Sequence, residues 1–98
     1  MSLAFGAHVS VSGGVDKAFA RGEEFDMDAI QIFTKNDRQW YAKPLAEDVI
    51  ERWYAERERS GIEKIVVHAS YLINLASQKD DLLLKSKLGL QNELERCE

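Results

Sequence analysis

The sequence predicts an α/β fold of three consecutive βα units with parallel strands, either a small three-stranded open sheet or an incomplete part of a (β/α)8 TIM barrel. Short apolar runs rich in β-branched residues alternate with longer stretches whose apolar residues recur at helical spacing. Glycine and small polar residues separate the two kinds of stretch. Strands that alternate with helices must be joined by crossovers, which gives a parallel sheet with right-handed connections. A closed barrel takes about 250 residues, so the 98 residues here could supply only the first three of its units. They are expected to form one partial domain over positions 1–98.

In chain order, Leu3–Val9 is short and apolar, with Gly6 inside it, and reads as a first strand ending near His8. Ser10–Gly14 is a turn whose hydroxyls can cap and whose glycines let the backbone bend. Val15, Ala18, Phe19 and Gly22 then fall on one face of a helix, where Gly22 either permits close packing or marks the end. Ala29–Thr34 reads as the second strand, and Lys35–Pro44 as a polar loop with the aromatic pair Trp40 and Tyr41. Pro44 sits just ahead of a helix, where proline is tolerated. Leu45, Val49 and Trp53, flanked by Ala46, Ile50 and Tyr54, form an apolar stripe to about Arg59, and Ser60-Gly61 ends it.

The third strand is expected over Ile62–His68, and the run Ile65–Val67 suits a strand buried on both faces. Ser77 with Asp80 reads as a capping pair for the last helix. Leu83, Leu90, Leu94 and Cys97 share a face of that helix, Cys97 as a small buried hydrophobe.

Composition narrows the function classes. With 45% apolar and 31% charged residues and a single proline, the chain is no low-complexity linker. No apolar run approaches the roughly 18–20 residues of a membrane span, and no basic-then-apolar signal opens the chain. The one cysteine cannot form an internal disulfide, so a reducing cytoplasm is the expected compartment. A net charge of -4 argues against coating nucleic acid non-specifically but leaves room for a local patch.

Functional groups of α/β folds gather at the carboxyl ends of strands. There the sequence puts His8, the loop Lys35–Pro44, and His68–Leu75 with its unusually apolar TyrLeuIleAsnLeu. A lone histidine after an apolar run is more often a hydrogen-bonded core residue than a metal ligand. The TyrLeuIleAsnLeu segment could equally be ordinary packing. Lys35, Arg38 and Lys43 with Trp40, Tyr41 and Tyr71 combine cations and flat side chains, as DNA recognition and base-step insertion require. A solvated loop with Trp40 as a core plug fits those residues about as well, and Asp37 weakens the patch. Two histidines do not make a metal site, because a catalytic zinc takes three protein ligands and a water. No glycine-rich phosphate cradle, Ser–His–Asp set or CxxC is present.

At these loops the sequence resembles the bacterial-type endonuclease IV family of DNA-repair enzymes. The matching stretches are GlyAlaHisValSer with the later glycine pair (Gly6–Gly14), PheThrLysAsn-x-ArgGlnTrp (Phe33–Trp40) and His-x-SerTyrLeuIleAsnLeu (His68–Leu75). The closing GluLeuGluArgCysGlu is similar to the end of the family's third helix. The resemblance runs in order along nearly the whole chain, and its third stretch is the most specific. It implies the amino-terminal portion of a TIM barrel that cuts duplex DNA 5′ to abasic sites with three zinc ions. By that resemblance His68 is a zinc ligand, and Arg38, Tyr71 and Leu72 push into the duplex at the lesion. Lys35, Asn36, Gln39 and Asn74 support those DNA-binding loops, while His8 matches a position near the metal end and is not assigned as a ligand.

The family's other ligands belong to later strands, which this sequence lacks, so the chain by itself is expected neither to hold three zincs nor to hydrolyse a phosphodiester. Exposed strand edges and apolar faces make self-association the companion expectation. Two alternatives are a sugar isomerase-like metal-dependent barrel and a non-enzymatic, self-associating partial barrel. ArgGlnTrp and SerTyrLeu speak against the former, since a sugar pocket has no evident use for them.

Overall fold

A computed structural model describes residues 3–36 and 38–98. Asp37, expected to weaken the cationic loop, lies outside the described residues. The elements are β1 (Gly6–His8), α1 (Lys17–Glu24), β2 (Ala29–Ile32), α2 (Glu47–Ser60), β3 (Lys64–Val67) and α3 (Asp80–Cys97). The three strands form one parallel sheet in the order β1-β2-β3, as the alternation of strand and helix predicts. Each strand is shorter than its apolar run. Ahead of β1, the Phe5 N–H donates to the Asp28 carboxylate at 3.1 Å, a side-chain partner in place of a ladder bond. Beyond β2, the Thr34 hydroxyl turns to the Glu93 carboxylate at 3.2 Å.

The chain divides into two compact units, Met1–Ile32 with Leu45–Val67, and Phe33–Pro44 with His68–Glu98. The first holds the sheet, α1 and α2. Its register pairs Ile30 with Ile65 and Ile32 with Val67, so these four side chains share one face. Phe19 and Ala18 of α1, together with Val9 and Ile62, complete the buried cluster on that face. Trp53 of α2 packs on it with its ring centroid 4.5 Å from that of Phe19. Gly22 is needed for this approach, because a Cβ there would lie 2.6 Å from Ile30 Cγ2.

Two expectations need correction in this unit. β3 is not buried on both faces: Val66 shares its side with Gln31 and His8 and is 57% exposed. The strand's period of two sends Ile65 and Val67 towards α1 and α2 and Val66 away from them. Nor does the whole stripe of α2 pack, since Val49 and Trp53 are half-buried while Ile50 and Tyr54 are exposed. The helix ends as expected at Gly61, whose φ of 73° is the left-handed conformation glycine adopts without strain.

In the second unit, α3 begins at Asp80 with Lys79 at its cap position. The Ser77–Asp80 capping pair does not form; the Ser77 hydroxyl instead accepts the Lys79 N–H at 3.3 Å. The expected apolar face holds only in part, with Leu83 and Leu90 half-buried. Leu94 and Cys97 are exposed, and the buried positions are Ser86, Gly89, Asn92 and Glu93. Polar groups tolerate burial when each finds a partner, and these partners lie in the two loops.

Candidate functional site

The segments 33–44 and 68–79 follow β2 and β3 in the chain, and both are tied to the polar face of α3 within the second unit. Lys35 makes the central tie. Its Nζ donates to the Trp40 carbonyl at 2.9 Å and to Asn92 Oδ1 at 2.8 Å, and lies 3.3 Å from a Glu93 carboxylate oxygen. The two charged side chains are 1% and 5% exposed. A buried charge of this kind persists because it is both paired and hydrogen-bonded. Asn92 closes a two-way link to Ala42, accepting its N–H at 3.1 Å and donating to its carbonyl at 3.3 Å. The Arg96 guanidinium donates to the carbonyls of Thr34 and Lys43. Burial moves its pKa below the usual arginine value.

These bonds shape the loop's outer end. The Asn36 side chain accepts the Arg38 N–H at 2.9 Å and its carbonyl accepts the Gln39 N–H at 3.1 Å, a short Asx turn. Asn36, Arg38 and Gln39 are all exposed on it. Lys35 is thereby withdrawn from the cationic group expected at this loop: its charge faces Glu93, whereas Arg38 and Lys43 remain exposed.

The second loop is fixed by comparable means. The Ser86 hydroxyl on α3 accepts the Asn74 N–H at 2.9 Å, and the Ser70 carbonyl accepts the Ile73 N–H at 3.2 Å. Asn74 Oδ1 accepts the Ala76 N–H at 3.0 Å, so this exposed residue also organises its own turn. Gly89 lets α3 come close to both loops; a Cβ there would be 3.2 Å from the Trp40 carbonyl and 3.3 Å from Ile73. At the turn, Tyr71 and Leu72 are 63% and 37% exposed. Side by side they present an aromatic ring and an aliphatic side chain at the surface.

His68 is half-buried, with Nδ1 2.6 Å from the Ala69 carbonyl. A carbonyl only accepts, so Nδ1 is the donor in this contact. Its ring contacts Phe33 and Tyr71. His8 lies in the other unit, exposed at the end of β1 opposite Gln31. Among the described residues no group of three or more His, Cys, Asp or Glu could hold a metal ion. Zinc needs at least three such ligands, so these residues do not fit a complete zinc centre.

The second unit therefore brings together Lys35, Asn36, Arg38, Gln39, His68, Tyr71, Leu72 and Asn74, with Lys35 inside and the exposed residues on two braced turns. Sequence reasoning missed Ser86, Asn92, Glu93 and Arg96. No local signal marks them, because their partners lie 12 to 62 positions away.

Fold and site together define part of a barrel that presents exposed cationic and aromatic loop residues. No protein-family model matches the chain. It is 56% identical over 93 residues to a protein named "Probable endonuclease 4" from Chloroflexus aggregans, a match covering 95% of this chain and 32% of that protein. The protein of the same name from Chloroflexus aurantiacus is 54% identical over 93 residues, covering 95% of this chain and 33% of the relative. The crystal structure of endonuclease IV from Thermus thermophilus superposes with a TM-score of 0.85 at 35% identity, covering 97% of this chain and 36% of that one. That neighbour is a TIM barrel, of which this chain covers only about a third. By sequence and by structure the chain is thus related to endonuclease IV, and it spans about one third of the length of the relatives it matches.

Proposed function

We propose that this chain is the lesion-recognising part of an endonuclease IV-type enzyme, which incises duplex DNA 5′ to abasic sites in base excision repair. The observation that carries the reading is the turn at Tyr71 and Leu72. A tyrosine 63% exposed and a leucine 37% exposed sit side by side on a segment tied to α3, an arrangement suited to entering a base step. Arg38, exposed on the other braced turn, would meet phosphate or fill the opened duplex. Asn36, Gln39 and Asn74 support these turns, and Lys35 acts from inside as a brace. An abasic site lacks a stacked base, so opening it costs less than opening an intact step. Selectivity then arises from deformability rather than from base-edge contacts.

His68 contributes one zinc ligand to a centre whose other ligands lie outside this sequence. The isolated chain is accordingly inactive in hydrolysis. A cytoplasmic location fits the single cysteine, and no helix among the described residues is long and apolar enough to cross a membrane.

Fluorescence anisotropy with a duplex carrying one abasic analogue, against the intact duplex, tests the recognition role directly. The chain should bind the abasic duplex more tightly, and Arg38→Ala with Tyr71→Ala should erase the difference. Equal affinity of the unsubstituted chain for both duplexes would sink the reading. Joining the chain to the remaining two thirds of the Chloroflexus aggregans relative should yield chelator-sensitive incision 5′ to the lesion. In that fusion His68→Ala should lower the zinc content, and an unchanged stoichiometry removes His68 from the ligand set.

A further inference from the structure

Phe33 joins His68 and Tyr71 in a cluster of three rings within the second unit. Its centroid is 4.8 Å from that of His68 and 5.3 Å from that of Tyr71, and the latter two are 5.5 Å apart. Tyr71 meets Phe33 at 82° and His68 at 86°. Edge-to-face contacts of this kind are the arrangement the ring quadrupoles favour. Exposed side chains on turns ordinarily exchange among rotamers, and fixing one has an entropic cost. Tyr71 is 63% exposed and yet its ring rests against two others. Phe33, in contrast, is half-buried and begins the loop segment that α3 braces.

We propose that Phe33 is a positioning residue for lesion recognition: its ring holds Tyr71 in one outward orientation and sets the plane of the His68 imidazole beside it. One ring thereby aligns the side chain that enters the duplex with the imidazole assigned to the metal. The role rests on the reading of Tyr71 given above. It goes beyond that reading because it assigns a task to a residue outside the set proposed above to meet DNA or metal. A residue that only filled space would be replaceable by any apolar group of similar size. A residue that orients Tyr71 needs its ring.

The test compares the unsubstituted 98-residue chain with Phe33→Leu and Phe33→Tyr. In the unsubstituted chain, NMR should find one χ1 rotamer for Tyr71 and NOEs between the ring protons of Phe33, Tyr71 and His68. Rotamer averaging of Tyr71 overturns the proposal without reference to any variant. Phe33→Leu, which keeps apolar bulk and loses the ring, should shift the Tyr71 and His68 ring resonances. It should also narrow the abasic-over-intact binding ratio by about two- to tenfold, the range expected for losing an aromatic pair. Phe33→Tyr should restore both. A folded Phe33→Leu chain with an undiminished ratio refutes the positioning role while leaving lesion recognition intact. Equal binding of the unsubstituted chain to the two duplexes refutes lesion recognition itself, and with it this role.

Discussion

Lys35 illustrates how one residue's surroundings redirect its chemistry. In the sequence it stands next to Asn36 in a polar loop and reads as a surface cation. In the fold its ammonium is enclosed by Trp40, Asn92 and Glu93. Removing one member of a buried ion pair strands the other, at a cost of about 3–5 kcal/mol. Glu93→Leu should therefore destabilise the chain by roughly that amount in urea unfolding. Adding Lys35→Met should recover part of the loss, because the stranded charge is gone. Strictly additive losses would show that the pair is not coupled. Arg38, three positions on, donates its backbone N–H to Asn36 and is itself exposed.

At the scale of elements, the helices differ in how they are held. α2 contributes no fully buried residue, and its exposed side bears a charge network in which Arg59 bonds both Glu56 and Glu23 at 2.5 Å. The Arg59 hydrogen bond holds the Glu56 carboxyl below its usual value of 4.5. Because the folded pKa is the lower one, the unfolded chain takes up its proton first as pH falls. The contribution is present in full above pH 4.5 and is lost as pH falls through the depressed folded value. The effect is small, since the pair is largely solvated. Glu56→Gln should lower stability slightly near neutrality, a difference that closes as pH falls below 4.5, measured by thermal melts across pH. An unaltered acid limb would dismiss the network as a stabilising element. α3, by contrast, is anchored by Ser86, Asn92, Glu93 and Arg96, a pattern that carries no amphipathic apolar signature.

For the molecule as a whole, the sheet shows what a partial barrel leaves open. β1 and β3 are its edges, and Val66 and His8 lie on the face turned from α1 and α2, the side that faces inward in a closed barrel. Leu84, Leu88 and Leu94 of α3 are exposed as well. Edge strands and apolar surface favour association, so sedimentation should give a mass that rises with chain concentration. A monomer mass at every concentration would rule this out. The alternation of short β-branched runs with helical stripes, the parallel pairing and the turn at Gly61 were legible from the sequence, because each follows from local period and backbone preference. The segments bearing Arg38, Tyr71 and His68 do follow β2 and β3, where the order of elements in the sequence puts them. Only the tertiary structure decided that Lys35 turns inward, that Val66 stays exposed, and that α3 buries Ser86, Asn92 and Glu93 more deeply than any of its leucines. Burial of a polar side chain depends on partners that satisfy it, and here those partners lie up to 62 positions away along the chain.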